Sequence, residues 1–211
     1  MRSKPTLLEL FAGTGSVGKV FRRDFDVTSL ELVGNPDIKV DIMAWDHRAL
    51  PQNSFDVIWA SPPCTMYSRA RTTAKTPRDL EGSDAMVRQT LDILEYFKPK
   101  IWMMENPQTG MLKDREVVEG LPFRDVCYCM YGMPYKKPMR IWNNWDTSWI
   151  PRPMCSKQTA CENVTEGRHP ISAQRRAGKL GDVAFSQADL YAIPVELVEE
   201  LHASVQQALQ L

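Results

Sequence analysis

A chain of 211 residues with 43 % hydrophobic content carries enough apolar material for one sizeable core and little more. Its 26 basic residues are balanced by 26 acidic ones, for a formal net charge of zero. That excludes a uniformly basic nucleic-acid coat, so any nucleic-acid contact must come from local clustering.

No apolar run reaches membrane-spanning length, and the start, Met-Arg-Ser-Lys-Pro, runs directly into a strand with no signal peptide expected. Five cysteines, an odd number, suit reduced thiols better than a disulfide framework. A soluble, intracellular, monomeric protein is the expectation. The expected strands are Thr6–Leu10, Asp26–Glu31, Ile38–Asp41, Phe55–Ala60 and Ile101–Glu105. Helical patterns fall between them at Val17–Arg23 and Asp84–Phe97. In the second, Met86, Leu91, Leu94 and Phe97 recur at helical spacing, and Ser83 or Asp84 is the expected cap. Strands alternating with helices predict a doubly wound, mostly parallel α/β sheet. Later, Val126–Met130 and Met139–Asn143 are expected to pair as an antiparallel ribbon about a Gly-Met-Pro turn.

Residues 144–188 change character, with Pro151, Pro153, Pro170 and a basic run from Gln174 to Lys179. They read as a small irregular insertion between a core, residues 1–143, and a C-terminal segment, residues 189–211. Pro194 then opens an amphipathic helix, Val195–Leu209, whose Glu196, Glu199 and Glu200 suit the positive end of the helix dipole.

Three local patterns carry chemistry. Phe11-Ala12-Gly13-Thr14-Gly15-Ser16 follows a strand and opens a helix, and its glycines let the backbone turn sharply and approach a ligand. Glu31 ends the second strand, where a carboxylate can accept from both hydroxyls of a ribose. Phe55 to Cys64 is an apolar run that ends in Pro-Pro-Cys, and the paired prolines hold Cys64 at a strand's carboxyl end, where ligands bind in open α/β sheets. Ile101-Trp-Met-Met-Glu-Asn-Pro is the fifth expected strand, ending on the carboxylate of Glu105.

In this order and spacing, the three patterns resemble the DNA cytosine-5 methyltransferase family, from about Thr6 to Asn143 and again, weakly, near residues 190–201. The resemblance implies a Rossmann-like core, S-adenosylmethionine as cofactor and DNA as substrate. It places Phe11, Ala12, Gly13, Thr14, Gly15, Ser16, Glu31, Leu32, Asp41, Ile42 and Pro62 around the cofactor. It makes Cys64 the thiolate that adds to cytosine carbon 6, Glu105 the acid at ring nitrogen 3, and Arg140 the anchor of the flipped base. The family's Gln-x-Arg-x-Arg segment is only partly matched by Tyr135-Lys136-Lys137-Pro138-Met139-Arg140, so Lys137 or Lys136 stands where the earlier arginine is expected. Ser68, Arg69, Arg71, Lys75, Lys137, Arg175 and Arg176 are the expected DNA contacts. The chain looks like the compact phage or viral type, with a reduced target-recognition region. An RNA cytosine methyltransferase and an inactive DNA-binding copy are the alternatives. Cys129, Cys155, Cys161 and His169 could ligate a structural zinc, but Cys-x5-Cys-x7-His matches no tight zinc motif, so free thiols are the simpler reading.

Overall fold

The computed structural model describes residues 4–72, 74–144, 149–172 and 185–210. Seven strands form one sheet: β1 (Thr6–Leu10), β2 (Asp26–Glu31), β3 (Ile38–Lys39), β4 (Val57–Ala60), β5 (Ile101–Pro107), β6 (Phe123–Cys127) and β7 (Pro138–Asn143). Their spatial order is β3-β2-β1-β4-β5-β7-β6. The first five run parallel, and β7 lies antiparallel between β5 and β6. The expected doubly wound α/β sheet is therefore present, with its order reversing between β1 and β4. A topological switch point of this kind opens a crevice at the carboxyl ends of the strands.

Strand alternation sends side chains to two opposite apolar layers. One layer gathers Leu7, Val57, Trp59, Ile101, Met103, Met139 and Ile141 against the helices α1 (Ser16–Phe21) and α4 (Val195–Leu209). The other gathers Leu8, Leu10, Ile58, Ala60, Met104 and Trp142 against α2 (Leu80–Phe97). Because β1, β4 and β5 are covered on both faces, they read as nearly continuous apolar runs.

Several boundaries differ from the sequence expectation. β3 stops at Lys39 because the chain turns at Asp41, whose carboxylate accepts from the Met43 amide at 2.9 Å. α2 starts at Leu80, and its cap is Asp79, which accepts from the Gly82 amide at 2.8 Å. Asp84 is instead drawn inward by the Tyr67 hydroxyl and Arg115. β6 ends at Cys127, and residues Tyr128–Tyr131 tighten into a 3-10 turn closed by Gly132 at φ 85°. A short helix, α3 (Gln187–Tyr191), was not anticipated; Ser186 and Asp189 form its capping box. α4 spans the expected residues. Only Glu196 stands in its first turn, however, and Glu199 and Glu200 pair with Arg23 and Arg152. Among the described residues, no helix is long and apolar enough to cross a membrane.

Candidate active site

A cavity of about 220 Å³ opens at the carboxyl ends of β1, β4 and β5. Its walls follow from register. Glu9 stands beside Trp59, and Trp59 beside Met103, so Glu9, Ser61 and Glu105 all point to the α1/α4 face of the sheet. Lys137 and Met139 point to the same face from the other side of β5, since Glu105 pairs with Ile141 across the antiparallel ladder. All five line the cavity, with Cys64 and the glycine turn.

The turn after β1 is sharply bent. Phe11, Gly13 and Gly15 all have positive φ, at 56°, 51° and 66°. A non-glycine residue in this region carries strain that the surrounding structure must hold. Two carboxylates hold it here. Glu31 accepts from the Gly13 amide at 2.9 Å and the Leu32 amide at 2.8 Å. Glu9 accepts from the Val17 and Gly18 amides at 3.2 and 3.1 Å, and so caps α1 from the neighbouring strand. Gly18 is required there, because a Cβ would sit 2.5 Å from a Glu9 oxygen. Burial raises the Glu9 carboxyl to about 7, against the opposing pull of those two amides.

Cys64 is half-buried after Pro62-Pro63, as the rigid turn requires. The Pro62 carbonyl accepts from the Asn106 side chain at 2.8 Å, which ties the cysteine loop to the end of β5. Glu105 is buried and accepts from the Tyr128 hydroxyl at 2.9 Å. The Ser61 hydroxyl also donates to it, and Ser61 is itself fixed by the Trp59 indole N–H at 2.9 Å. Burial raises the Glu105 carboxyl, while Lys137, Tyr128 and Ser61 pull it down. Burial also pushes the Cys64 thiol up, with Glu105 adding to the rise and Lys137 opposing it. Burial thus favours the neutral form of each group, and one cation stands beside both. Lys137 is aimed by the Leu190 carbonyl at 2.6 Å and lies over the Tyr128 ring at 5.0 Å.

Of the expected site residues, the structure brings Phe11, Ala12, Gly13, Thr14, Ser16, Glu31, Pro62, Cys64, Glu105 and Lys137 to this one cavity. Gly15 faces an adjoining hollow that shares Glu9 and Glu31 with it. Leu32, Asp41 and Ile42 lie outside both hollows: Leu32 is 57 % exposed and Ile42 is packed in the core. Arg140 is not brought to the cavity either. It points to the opposite face of β7, bridges both oxygens of Asp125 at 2.7 and 2.9 Å, and stacks on Phe123 at 3.4 Å. Of the loop after Cys64, Arg69 pairs with Asp114 in solvent and Lys75 is exposed. Arg71 and Arg78 fold back onto the loop, Arg71 onto Thr76 and Arg78 onto the carbonyls of Met66 and Ser68. Thr73, Arg175, Arg176 and Lys179 lie outside the described residues.

Sequence reasoning missed Glu9, Ser61 and Tyr128, and also Tyr191 and Ile193, which close the cavity from the segment before α4. Glu9 did leave a signal, as a carboxylate inside the apolar strand Leu7-Leu8-Glu9-Leu10. Tyr128 left none, since it lies in the turn after β6 and its partner is 23 residues away on β5.

A family model described as C-5 cytosine-specific DNA methylase matches residues 28–146. The chain is 31 % identical over 215 residues to a probable DNA (cytosine-5)-methyltransferase of Frog virus 3 (isolate Goorha), covering 92 % of this chain and 97 % of that protein. Among solved structures, it is similar to a putative DNA modification methyltransferase encoded within an E. coli prophage, with TM-score 0.51, 16 % identity, and 72 % of this chain and 52 % of that one covered. It is also similar to the Entamoeba histolytica methyltransferase EhMeth, with TM-score 0.52, 14 % identity, and coverage of 72 % and 57 %. The S. pombe Dnmt2 methyltransferase follows at TM-score 0.50, 15 % identity, and coverage of 69 % and 53 %. The chain spans about half the length of these solved structures, and at such identities the likeness is one of fold. A family model aligned over more than half the sequence, and a viral relative aligned over nearly all of it, identify the chain as a member of the C-5 cytosine-specific DNA methylase family.

Proposed function

We propose that this methylase takes its methyl group from S-adenosylmethionine and acts on a cytosine turned out of DNA, through a covalent bond to Cys64. One observation carries the reading: a thiol and a buried carboxyl face one cavity with a glycine turn and a carboxylate at its rim. The donors and acceptors suit that cofactor. Glu31 uses one lone pair of each oxygen on backbone amides and keeps others for ribose hydroxyls. When bound, S-adenosylmethionine supplies an electrophilic methyl group.

Cytosine carbon 5 is too weak a nucleophile to take that group unaided. Cys64 gives its proton to water in the cavity and adds through sulfur to carbon 6. The ring electrons move toward nitrogen 3, where Glu105, whose acid form burial favours, supplies a proton. Carbon 5 is then an enamine carbon able to attack. After transfer, water takes the carbon 5 proton, the Cys64 sulfur leaves, and nitrogen 3 returns its proton to Glu105, which restores the ring. Lys137 stabilises the thiolate as it forms, a role for a point charge beside both groups. Carbon 6 is unreachable inside a duplex, so the base must be extruded. The loop with Ser68, Arg69, Arg71 and Lys75 is the proposed backbone contact, and residues 144–188 take the place of a larger recognition domain.

DNA containing 5-fluorocytosine tests the reading, since fluorine cannot leave as the proton does. With S-adenosylmethionine present, the wild-type chain should form a denaturation-stable adduct with that DNA, and Cys64→Ser should not. An adduct that persists in the serine variant, or methylation of ordinary DNA without any wild-type adduct, removes Cys64 from the role.

A further inference from the structure

Outside the cavity lining, the structure assembles a second cluster of reactive side chains. Cys129 lies in the 3-10 turn after β6, Cys155 and Cys161 lie in the segment after β7, and His169 follows them. The three sulfurs and one imidazole nitrogen all lie within 4.8 Å of one another. Cys161 Sγ stands 3.2 Å from His169 Nε2, and Cys155 Sγ stands 3.8 Å from the same atom. Cys129, Cys155 and Cys161 are buried at 1 %, 4 % and 9 % exposure, and Met130, Met154 and Val164 pack around them. All three thiols are free, with no disulfide among them.

We infer that Cys129, Cys155, Cys161 and His169 form a structural zinc site. Ligands about 2.0 to 2.3 Å from a tetrahedral zinc lie about 3.5 to 3.8 Å apart, so closure on an ion needs movements of about 1 Å or less. Three soft sulfurs and one imidazole select zinc over harder cations. Four protein ligands leave no position for water, which makes the site closed and structural. The surroundings supply the outer contacts such a centre needs. Cys127 Sγ lies 3.3 Å from Cys129 Sγ, and the Cys161 backbone amide donates to Cys155. Lys136 stands close enough to act on both Cys155 and His169, opposite the net negative charge of three thiolates around a divalent ion.

The segment that holds three of the ligands has little regular secondary structure. Among its described residues it contains no helix, and its bridges are the isolated pairs Tyr135–Ile171 and Thr165–Arg168. A metal joining it to Cys129 fixes it against the β6–β7 connection. Cys129 is the neighbour of Tyr128, whose hydroxyl holds Glu105. The ion is thus a staple two links from the proposed catalytic carboxyl, and it holds whether or not the catalytic reading does.

Elemental analysis and differential alkylation of the purified full-length chain test the site. The expected result is one equivalent of zinc. Cobalt added to the reduced, metal-free chain should give thiolate charge-transfer and tetrahedral ligand-field bands, and zinc should abolish them. Zinc should slow alkylation of Cys129, Cys155 and Cys161 by about tenfold or more, with the Cys64 rate unchanged. Cys161→Ser should lose the bound metal and Cys64→Ser should keep it. The labelling uses the wild-type chain, so it decides the matter even if the serine variant fails to fold. No cobalt bands in the reduced chain, alkylation rates indifferent to zinc, or a Cys155–Cys161 disulfide in freshly isolated protein would each overturn the site.

Discussion

Glu9 shows how far one buried carboxylate can couple a binding turn to pH. It is 3 % exposed, and two amides of α1 depend on it. Its folded-state pKa near 7 stands above the ordinary value of 4.5. Between those values the folded chain binds more protons than the unfolded one, so stability falls as pH rises across that window and levels off above it. At about 1.4 kcal/mol per pKa unit, the loss is about 3 kcal/mol in all. Urea unfolding of wild type and Glu9→Gln at about pH 5 and pH 8 checks this. The stability difference should move toward the variant by up to about 3 kcal/mol at the higher pH. A difference independent of pH would show that Glu9 is not the titrating group. The residue was legible as an oddity, a charge inside an apolar strand. Its service to Gly18 was not, because the contact needs α1 folded back across β1.

At the scale of the element, β7 shows how one register step decides a role. Side chains alternate along a strand, so Lys137 and Met139 share a face and Arg140 takes the other. The resemblance to a Gln-x-Arg-x-Arg segment drew attention to Arg140 because it is the arginine present. The strand instead delivers Lys137 to the cavity and Arg140 to Asp125. Two variants separate the assignments. Lys137→Met should lower methyl transfer by about a hundredfold or more, on the scale of a lost electrostatic contact, while binding of S-adenosylhomocysteine persists. Arg140→Met should mainly destabilise the fold, by about 1 to 3 kcal/mol, because Asp125 loses a bidentate partner. Turnover per folded molecule should stay within a few-fold of wild type. The reverse pattern would return the anchoring role to Arg140. The start of α2 teaches a related lesson: Asp79 caps where Ser83 or Asp84 was expected, because Tyr67 and Arg115 hold Asp84 inward.

Over the whole molecule, Arg152 joins three parts distant in sequence. Its guanidinium donates to Glu200 at 2.7 Å, Glu196 at 2.7 Å and the Met130 carbonyl at 2.6 Å, and lies 4.6 Å from the Tyr131 ring centre. Arg152→Ala should therefore lower stability by about 1 to 2 kcal/mol after solvent screening, read from urea midpoints, and hasten proteolysis between residues 149 and 172. Unchanged midpoints and cleavage would reduce the cluster to a surface decoration. The places of Cys64 and Glu105 at strand ends were legible in the sequence, for a local reason: an apolar strand ending in proline sets the place of its last side chain without help from elsewhere. The glycine turn and Glu31 were legible on the same ground, as was the strand–helix alternation that predicts a parallel sheet. Only the tertiary structure decided that Tyr128 and Ser61 hold Glu105, that Lys137 and not Arg140 faces the cavity, and that Cys129, Cys155, Cys161 and His169 meet. Those outcomes depend on which segments the fold brings within a few ångströms, and contacts across 20 or more residues of intervening chain leave no periodicity in the sequence to read.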